Sequence, residues 1–268
     1  MSQGTGWFDV FEPEPGIFII EEPHHVERVK SHLIVGDRQA ILIDTGMGIA
    51  NIRELVESLT DKPVIVINSH AHWDHVGANH LFEEIWIHPA EASELPRGFP
   101  NDRMRTWFQP SSLTGPLPDD VDLDTLDIPP SKATGRLAEG QRFDLENRTL
   151  EVLYCPGHSP GGIVLLDRAN GILFSTDVAY TGYLYAYAGS WLQTYHASLS
   201  RLADLAPELR VLYPSHNDRS ISPALVQGMV DTLERIIAGQ AADSLRGDVA
   251  VYDNGEVGVY LFPPRAEE

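Results

Sequence analysis

The stretch VIVINSHAHWDHVGAN, residues 64–79, decides how this chain is read. Its opening VIVI follows Pro63 and has the β-branched, wholly apolar character of a buried strand. Three histidines and an aspartate then fall within six positions, 70–75. His70 and His72 are two apart at the end of that strand, so in extended backbone both side chains leave the same face. Asp74 and His75 come at the bend where a helix begins and can swing back toward the same edge. Imidazole nitrogen and carboxylate oxygen are ordinary zinc ligands, and four of them exceed what one three-ligand catalytic site needs, so the motif implies two metals. The alternative is a chance cluster of solvated histidines. Ionisable groups left unpaired beside a buried strand would cost on the order of several kcal/mol, which weighs against it.

Working outward, GIFIIEE from Gly16, KSHLIVG from Lys30 and QAILIDTG from Gln39 read as a strand meander, and Ile52, Leu55, Val56 and Leu59 repeat at helical spacing. IWIH, ending at His88, reads as another strand. From about residue 89 to 136 prolines and acidic residues break the pattern, which predicts an insertion without a regular core element. It is either a lid, with Trp107 and Phe108 as apolar contacts, or a surface excursion. RFDL, TLEVLYC, GIVLLD and GILFSTD form a second set of strands, followed by a helix with Leu192, Tyr195, Leu199, Leu202 and Leu205 on one face. RVLYPSH is a further strand. The tail, 222–262, reads as a helix with Ser222 as N-cap and Pro223 in its first turn, then a hairpin turning at Asn254-Gly255. The expectation is one domain over 1–268 with α/β architecture, two β-rich halves each carrying helices on its outer face.

Three more candidate ligands each follow an apparent strand: His158 in EVLYCPGHSPGG, Asp177 ending ILFSTD and His216 ending VLYPSH. Strand-end loops are where a rigid sheet presents catalytic groups. HAHWDH, PGHSPGG, ILFSTD and LYPSH, in that order and with LIDTG before them, resemble the metallo-β-lactamase superfamily of binuclear metallohydrolases over about Gly16 to His216. The resemblance implies a four-layer αββα sandwich. It implies that His70, His72 and His158 hold one metal, that Asp74, His75 and His216 hold the other, that Asp177 bridges them and that Asp44 braces the ligand loop. Five imidazoles and two carboxylates suit two Zn²⁺ per chain best, with Fe and Mn left open. Cys155, the sole cysteine, reads as a small buried apolar residue rather than a ligand.

Two such metals can share a water and bring its pKa toward neutrality. The hydroxide would attack the carbonyl of a lactone or thioester, with β-lactam hydrolysis as a weak side activity. Asp74 or a metal-bound water would protonate the leaving group. Tyr180 matches the place where acyl-homoserine lactonases of the superfamily carry a tyrosine that bonds the substrate carbonyl; an aromatic rim residue is the equally open alternative. Tyr183 and Tyr185 could contribute to an apolar acyl pocket. This aromatic stretch also resembles a branch that includes acyl-coenzyme A thioesterases. His24 and His25, in a turn that often flanks the site, are candidate substrate contacts, with solvated turn histidines as the plainer reading.

Composition sets the outer limits. Hydrophobic content of 43% and charged content of 22% are those of a globular protein. A formal net charge of -20 repels phosphate backbones and anionic surfaces, so neither nucleic acid nor membrane insertion is expected. The N-terminus carries no basic-then-apolar pattern, and a lone cysteine suits a reducing compartment, so the expected location is cytoplasmic. The expected partner is a small acyl substrate, and a homo-oligomer is compatible with the sequence. Glyoxalase II-like thioester hydrolysis, an iron-dependent sulfur dioxygenase and a non-catalytic metal-binding scaffold are the rival functions.

Overall fold

A computed structural model describes residues 3–264, which form two compact units. The first holds the chain up to Leu137 with Phe143–Arg148; the second holds Ala138–Arg142 and the chain from Thr149 onward.

The first unit is built on a sheet whose strands follow chain order: β1 (Gln3–Thr5), β2 (Phe8–Glu14), β3 (Ile17–Glu21), β4 (Lys30–Val35), β5 (Ala40–Ile43), β6 (Val64–Ile67), β7 (Ile85–Ile87) and β8 (Gly135–Arg136). The meander through β5 is antiparallel, as short turns require, and β5, β6, β7 and β8 then run parallel. A parallel neighbour needs a crossover. Helix α1 (Ile52–Leu59), opened by Asn51 accepting from the Glu54 backbone N–H, supplies it between β5 and β6. Its Ile52, Leu55 and Val56 are buried, each contributing about 1.5–3 kcal/mol. The short helix α2 (Trp73–Val76) lies directly beyond β6.

The 89–136 segment contains more regular structure than its composition predicts. Helix α3 (Asn101–Trp107) forms after Pro100, and its Met104 is fully buried in the core with Leu95, Phe108 and Ile128. The physical reason is anchorage: Phe99 and Ile128 exchange backbone hydrogen bonds, and the Asn101 amide donates to the carbonyls of Leu123 and Leu126. Chain that lacks a periodic apolar face is ordered here by polar bonds across a loop.

Strand β9 (Arg142–Asp144) lies where the chain passes between the two units. The second unit carries β10 (Thr149–Tyr154), β11 (Ile163–Asp167), β12 (Ile172–Thr176), β13 (Gly182–Tyr187) and β14 (Val211–Pro214). Strands β14, β12, β11 and β10 are neighbours in that order, with β12 and β14 parallel. Helices α4 (Ser190–Leu205) and α5 (Leu225–Ile237) share one apolar core with them, around Tyr195, Leu199, Leu202, Met229 and Leu233. Helix α5 starts at Leu225, later than the expected Ser222–Pro223 opening; Ser222 Oγ still accepts from the Ala224 N–H.

A smaller sheet, ordered β13, β17 (Val257–Phe262), β16 (Val249–Asn254) and β15 (Ser244–Arg246), completes the second unit. Asn254 pairs with Val257, so Gly255 and Glu256 are the central turn residues rather than Asn254 and Gly255. The positive φ of 72° falls on Gly255, as the first position of a type II′ turn requires. Among the described residues no helix is long and apolar enough to cross a membrane.

Candidate metal centre

In the first unit the HAHWDH motif leaves the sheet between β6 and α2, and a separate loop braces it. Asp44, just after β5, has φ 63°, a left-handed conformation that aspartate tolerates better than most residues. From there one carboxylate takes three donors: the Ser69 N–H at 2.7 Å, the Ser69 hydroxyl at 2.7 Å and His75 Nδ1 at 2.9 Å. Ser69 Oγ also lies 2.9 Å from His70 Nδ1. A hydroxyl has one proton, and Ser69 gives it to Asp44, so it accepts from His70 Nδ1–H. Both His70 and His75 are thereby set as Nδ1–H tautomers with the lone pair on Nε2, the orientation that a metal-binding imidazole needs.

These nitrogens sit in a crowded donor cluster. The His70 and His75 rings are 4.2 Å apart, those of His70 and His72 are 4.4 Å apart, and His70 Nε2 lies 2.9 Å from His72 Nδ1. Asp74 Oδ2 is 3.6 Å from His75 Nε2. His70, Asp74 and His75 are buried and His72 is half-buried. Imidazoles packed this closely away from solvent, with tautomers preset by a carboxylate relay, fit a divalent cation as the group they serve.

Backbone contact locks the brace to the motif. Gly48 and Gly77 touch main chain to main chain; a Cβ on Gly77 would stand 2.2 Å from the Met47 carbonyl carbon. That approach lets the Thr45 N–H donate to the His75 carbonyl and the Gly77 N–H to the Gly46 carbonyl, each at 2.8 Å. Thr45, Asn68 and Asn79 add a buried hydrogen-bonded amide cluster beneath.

Beneath the same loop lies Glu22, which sequence reading missed. Its carboxyl accepts from the Trp7 indole N–H and from the Met47 N–H at 2.8 Å. Complete burial pushes its pKa up to about 7, against the lowering effect of those two bonds.

The second unit carries the other three expected ligands. His158 follows β10, Asp177 follows β12 and His216 follows β14. Asp177 Oδ2 is 3.1 Å from His216 Nε2 and 3.5 Å from His158 Nε2, so the carboxylate joins the two imidazoles. Helix α4 positions both loops. Tyr195 donates its hydroxyl to the Val178 carbonyl at 2.8 Å, and Ser198 donates to the Pro156 carbonyl at 2.6 Å. Gly157, at φ 146°, passes so close to Tyr195 that a Cβ would lie 2.4 Å from its Cα. Tyr195 was legible only as a helix-face residue; nothing local marks it as a strut. Cys155 is buried and its thiol is pushed up to about 12 by burial, so it is no thiolate donor.

The remaining candidates fall in distinct places. The Tyr180 ring is 5.7 Å from that of His216, but its hydroxyl donates to the Tyr183 carbonyl at 3.0 Å and accepts from the Tyr185 N–H. One phenol thus caps the open edge of β13, and burial holds its pKa well above the ordinary value. Tyr183 stacks on Tyr260 at 4.3 Å, and Tyr185 meets Phe262 edge-on at 5.5 Å. In the first unit Trp107 stacks on Trp73 at 4.8 Å, and Phe108 is buried beside His25. His25 is buried too: its Nδ1 accepts from the Glu27 N–H and its Nε2 lies 3.2 Å from the Trp107 carbonyl. His24 is half-buried, with its ring 5.7 Å from that of Trp7.

Comparison with known proteins places the chain in a family. The family model described as the metallo-beta-lactamase superfamily matches residues 26–216. An acyl-coenzyme A thioesterase, MBLAC2 of Gallus gallus, is 32% identical over 74% of this chain and 76% of its own length. Among solved structures, the MIM-2 metallo-beta-lactamase superposes with a TM-score of 0.60 at 21% identity, covering 84% of this chain and 89% of that one. TTHA1623, solved in a di-iron-bound form, superposes with a TM-score of 0.55 at 25% identity over 74% of this chain and 92% of its own. With a family model matching most of its length, and with that family's α/β sandwich fold, the chain belongs to the metallo-β-lactamase superfamily.

Proposed function

We propose that this metallo-β-lactamase-fold hydrolase cleaves acyl thioesters, acyl-coenzyme A first among them, using two zinc ions. The observation that carries the reading is the Asp44 relay, which sets His70 and His75 as Nδ1–H tautomers inside a buried imidazole cluster. The similarity to a protein named as an acyl-coenzyme A thioesterase supports the substrate class. In this reading His70, His72 and His158 would hold one ion, Asp74, His75 and His216 would hold the other, and Asp177 would serve both. When bound, the ions polarise a carbonyl and bring the pKa of water toward neutrality.

The chain's own residues do the rest. Asp44 and Ser69 keep protons on Nδ1 and off Nε2, while Asp177 joins His158 and His216. Asp74 would carry a proton to the leaving thiolate in this reading. Tyr180, its hydroxyl already engaged at both donor and acceptor, positions β13 next to His216 instead of donating to substrate. Iron in place of zinc is the second reading, favoured by the similarity to a protein solved in a di-iron-bound form.

The test is metal analysis of the purified chain, followed by turnover of acyl-coenzyme A, lactone and β-lactam substrates. Two metals per chain and thioester hydrolysis abolished by His72→Ala and Asp177→Asn are expected. A metal-free active chain, or turnover indifferent to both changes, overturns the reading.

A further inference from the structure

Asp44 does not hold the ligand strand alone. As the chain leaves the sheet past β6, the Asn68 N–H still donates to Trp86 in β7, at 2.8 Å. The Ser69 N–H has no strand partner to meet and goes to Asp44, from the end of β5. The Ala71 N–H goes to the side chain of Glu91, from the helical turn that follows β7. Two carboxylates, one beyond each neighbouring strand, thus take over the backbone bonds where the sheet stops.

We propose that Glu91 is a positioning residue for the metal ligands: its carboxylate sets the peptide between His70 and His72 and thereby the angle between their two imidazoles. The inference rests on the metal-site reading above.

Ala71 is the one residue between the two ligands, so rotating its peptide moves both Cα–Cβ bonds at once. The rings it governs are close, 4.4 Å between centroids and 2.9 Å between facing nitrogens. Ligand sets tolerate about 10–20° of misorientation before affinity falls. Glu91 is built for constancy. It is 4% exposed, it closes a 3₁₀ turn opened by Pro89, and His88 Nδ1 accepts from the Ala90 N–H at 3.3 Å to start that turn. The next turn continues from it, with the Glu94 N–H donating to the Glu91 carbonyl at 3.0 Å. The 89–136 segment consequently reaches the ligand motif twice, through Glu91 on Ala71 and through Trp107 stacked on Trp73.

The experiment strips the full chain with chelator and titrates Co²⁺, reading its visible absorption, with Zn²⁺ competition for affinity. Glu91→Gln keeps the length and a carbonyl acceptor and should bind within about threefold of wild type. Glu91→Asp, one methylene short, and Glu91→Ala should bind about 10- to 100-fold more weakly, the usual loss when a ligand's support is removed, with an altered Co²⁺ spectrum. If Glu91→Ala does not fold, the Gln and Asp variants decide by themselves. Equal affinity of Gln and Asp variants, or wild-type affinity in Glu91→Ala, overturns the role of Glu91 while leaving the metal site standing. A wild-type chain that takes up no Co²⁺ overturns both.

Discussion

Replacing Asp44 by Asn changes one proton count at the base of the metal centre and leaves nearly everything else in place. Asparagine accepts the left-handed backbone at φ 63° as readily as aspartate, so strain does not confound the result. The Ser69 N–H can only donate, so the amide must present its oxygen there, and its NH₂ then faces Ser69 Oγ and His75 Nδ1. Two donors facing each other cannot persist. His75 resolves the conflict by moving its proton to Nε2. Ser69 accepts from the amide, turns its own proton toward His70 Nδ1, and drives the His70 proton to Nε2 as well. Each lone pair that would bind metal is thereby capped by a proton. The expected loss is about 10- to 100-fold in affinity at each site, or about 1.4–2.7 kcal/mol. The fold survives, because the Ser69 N–H, Ser69 Oγ and His75 Nδ1 all keep partners; Asp44→Ala would instead strand them at about 1–3 kcal/mol each. Nitrogen-15 spectra of the histidine side chains report the tautomers, and Co²⁺ titration reports affinity. Retained Nδ1–H tautomers with wild-type metal affinity in Asp44→Asn would refute the relay.

Other perturbations probe the frame. Gly77→Ala puts a methyl against the Met47–Gly48 backbone and should cost about 1–3 kcal/mol in urea unfolding; an unchanged midpoint would mean the loop adapts freely. Glu22, raised from 4.5 to about 7, binds a proton in the folded chain that the unfolded chain has released, so stability falls as pH rises from about 4.5 to 7 and levels off above. That slope is worth on the order of 3 kcal/mol, and Glu22→Gln should remove it; parallel stability curves for metal-free wild type and variant would contradict the assignment. Tyr180→Phe should lose about 1–2 kcal/mol of stability through the β13 edge while kcat stays within tenfold. A fall of a hundredfold or more would make it a carbonyl donor after all.

The aromatic run after Asp177 illustrates how sequence reading can stop short. Tyr183 and Tyr185 read as candidate acyl-pocket residues; with Tyr187 they alternate with Leu184 and Ala186, and β13 follows that period of two, burying Leu184 and Ala186 in the core. The strand is thus legible in the alternation, while the tyrosines alone suggest only an aromatic surface. The helix inside 89–136 had no such signal, since a seven-residue α3 with one fully buried methionine leaves little periodicity to find.

What the amino-acid order determined by itself was the set of candidate donors. Metal chemistry demands particular side chains, strand geometry demands particular spacings, and HAHWDH, with His158, Asp177 and His216 each following a strand, satisfies both within short windows. Only the tertiary structure decided what holds those donors. Glu22 under the 44–48 loop, Gly48 against Gly77, Glu91 on Ala71 and Tyr195 beneath the 177–178 turn are contacts between segments remote in sequence. A carboxylate or a glycine looks the same in sequence whether it faces solvent or a backbone N–H; burial by the rest of the fold makes the difference.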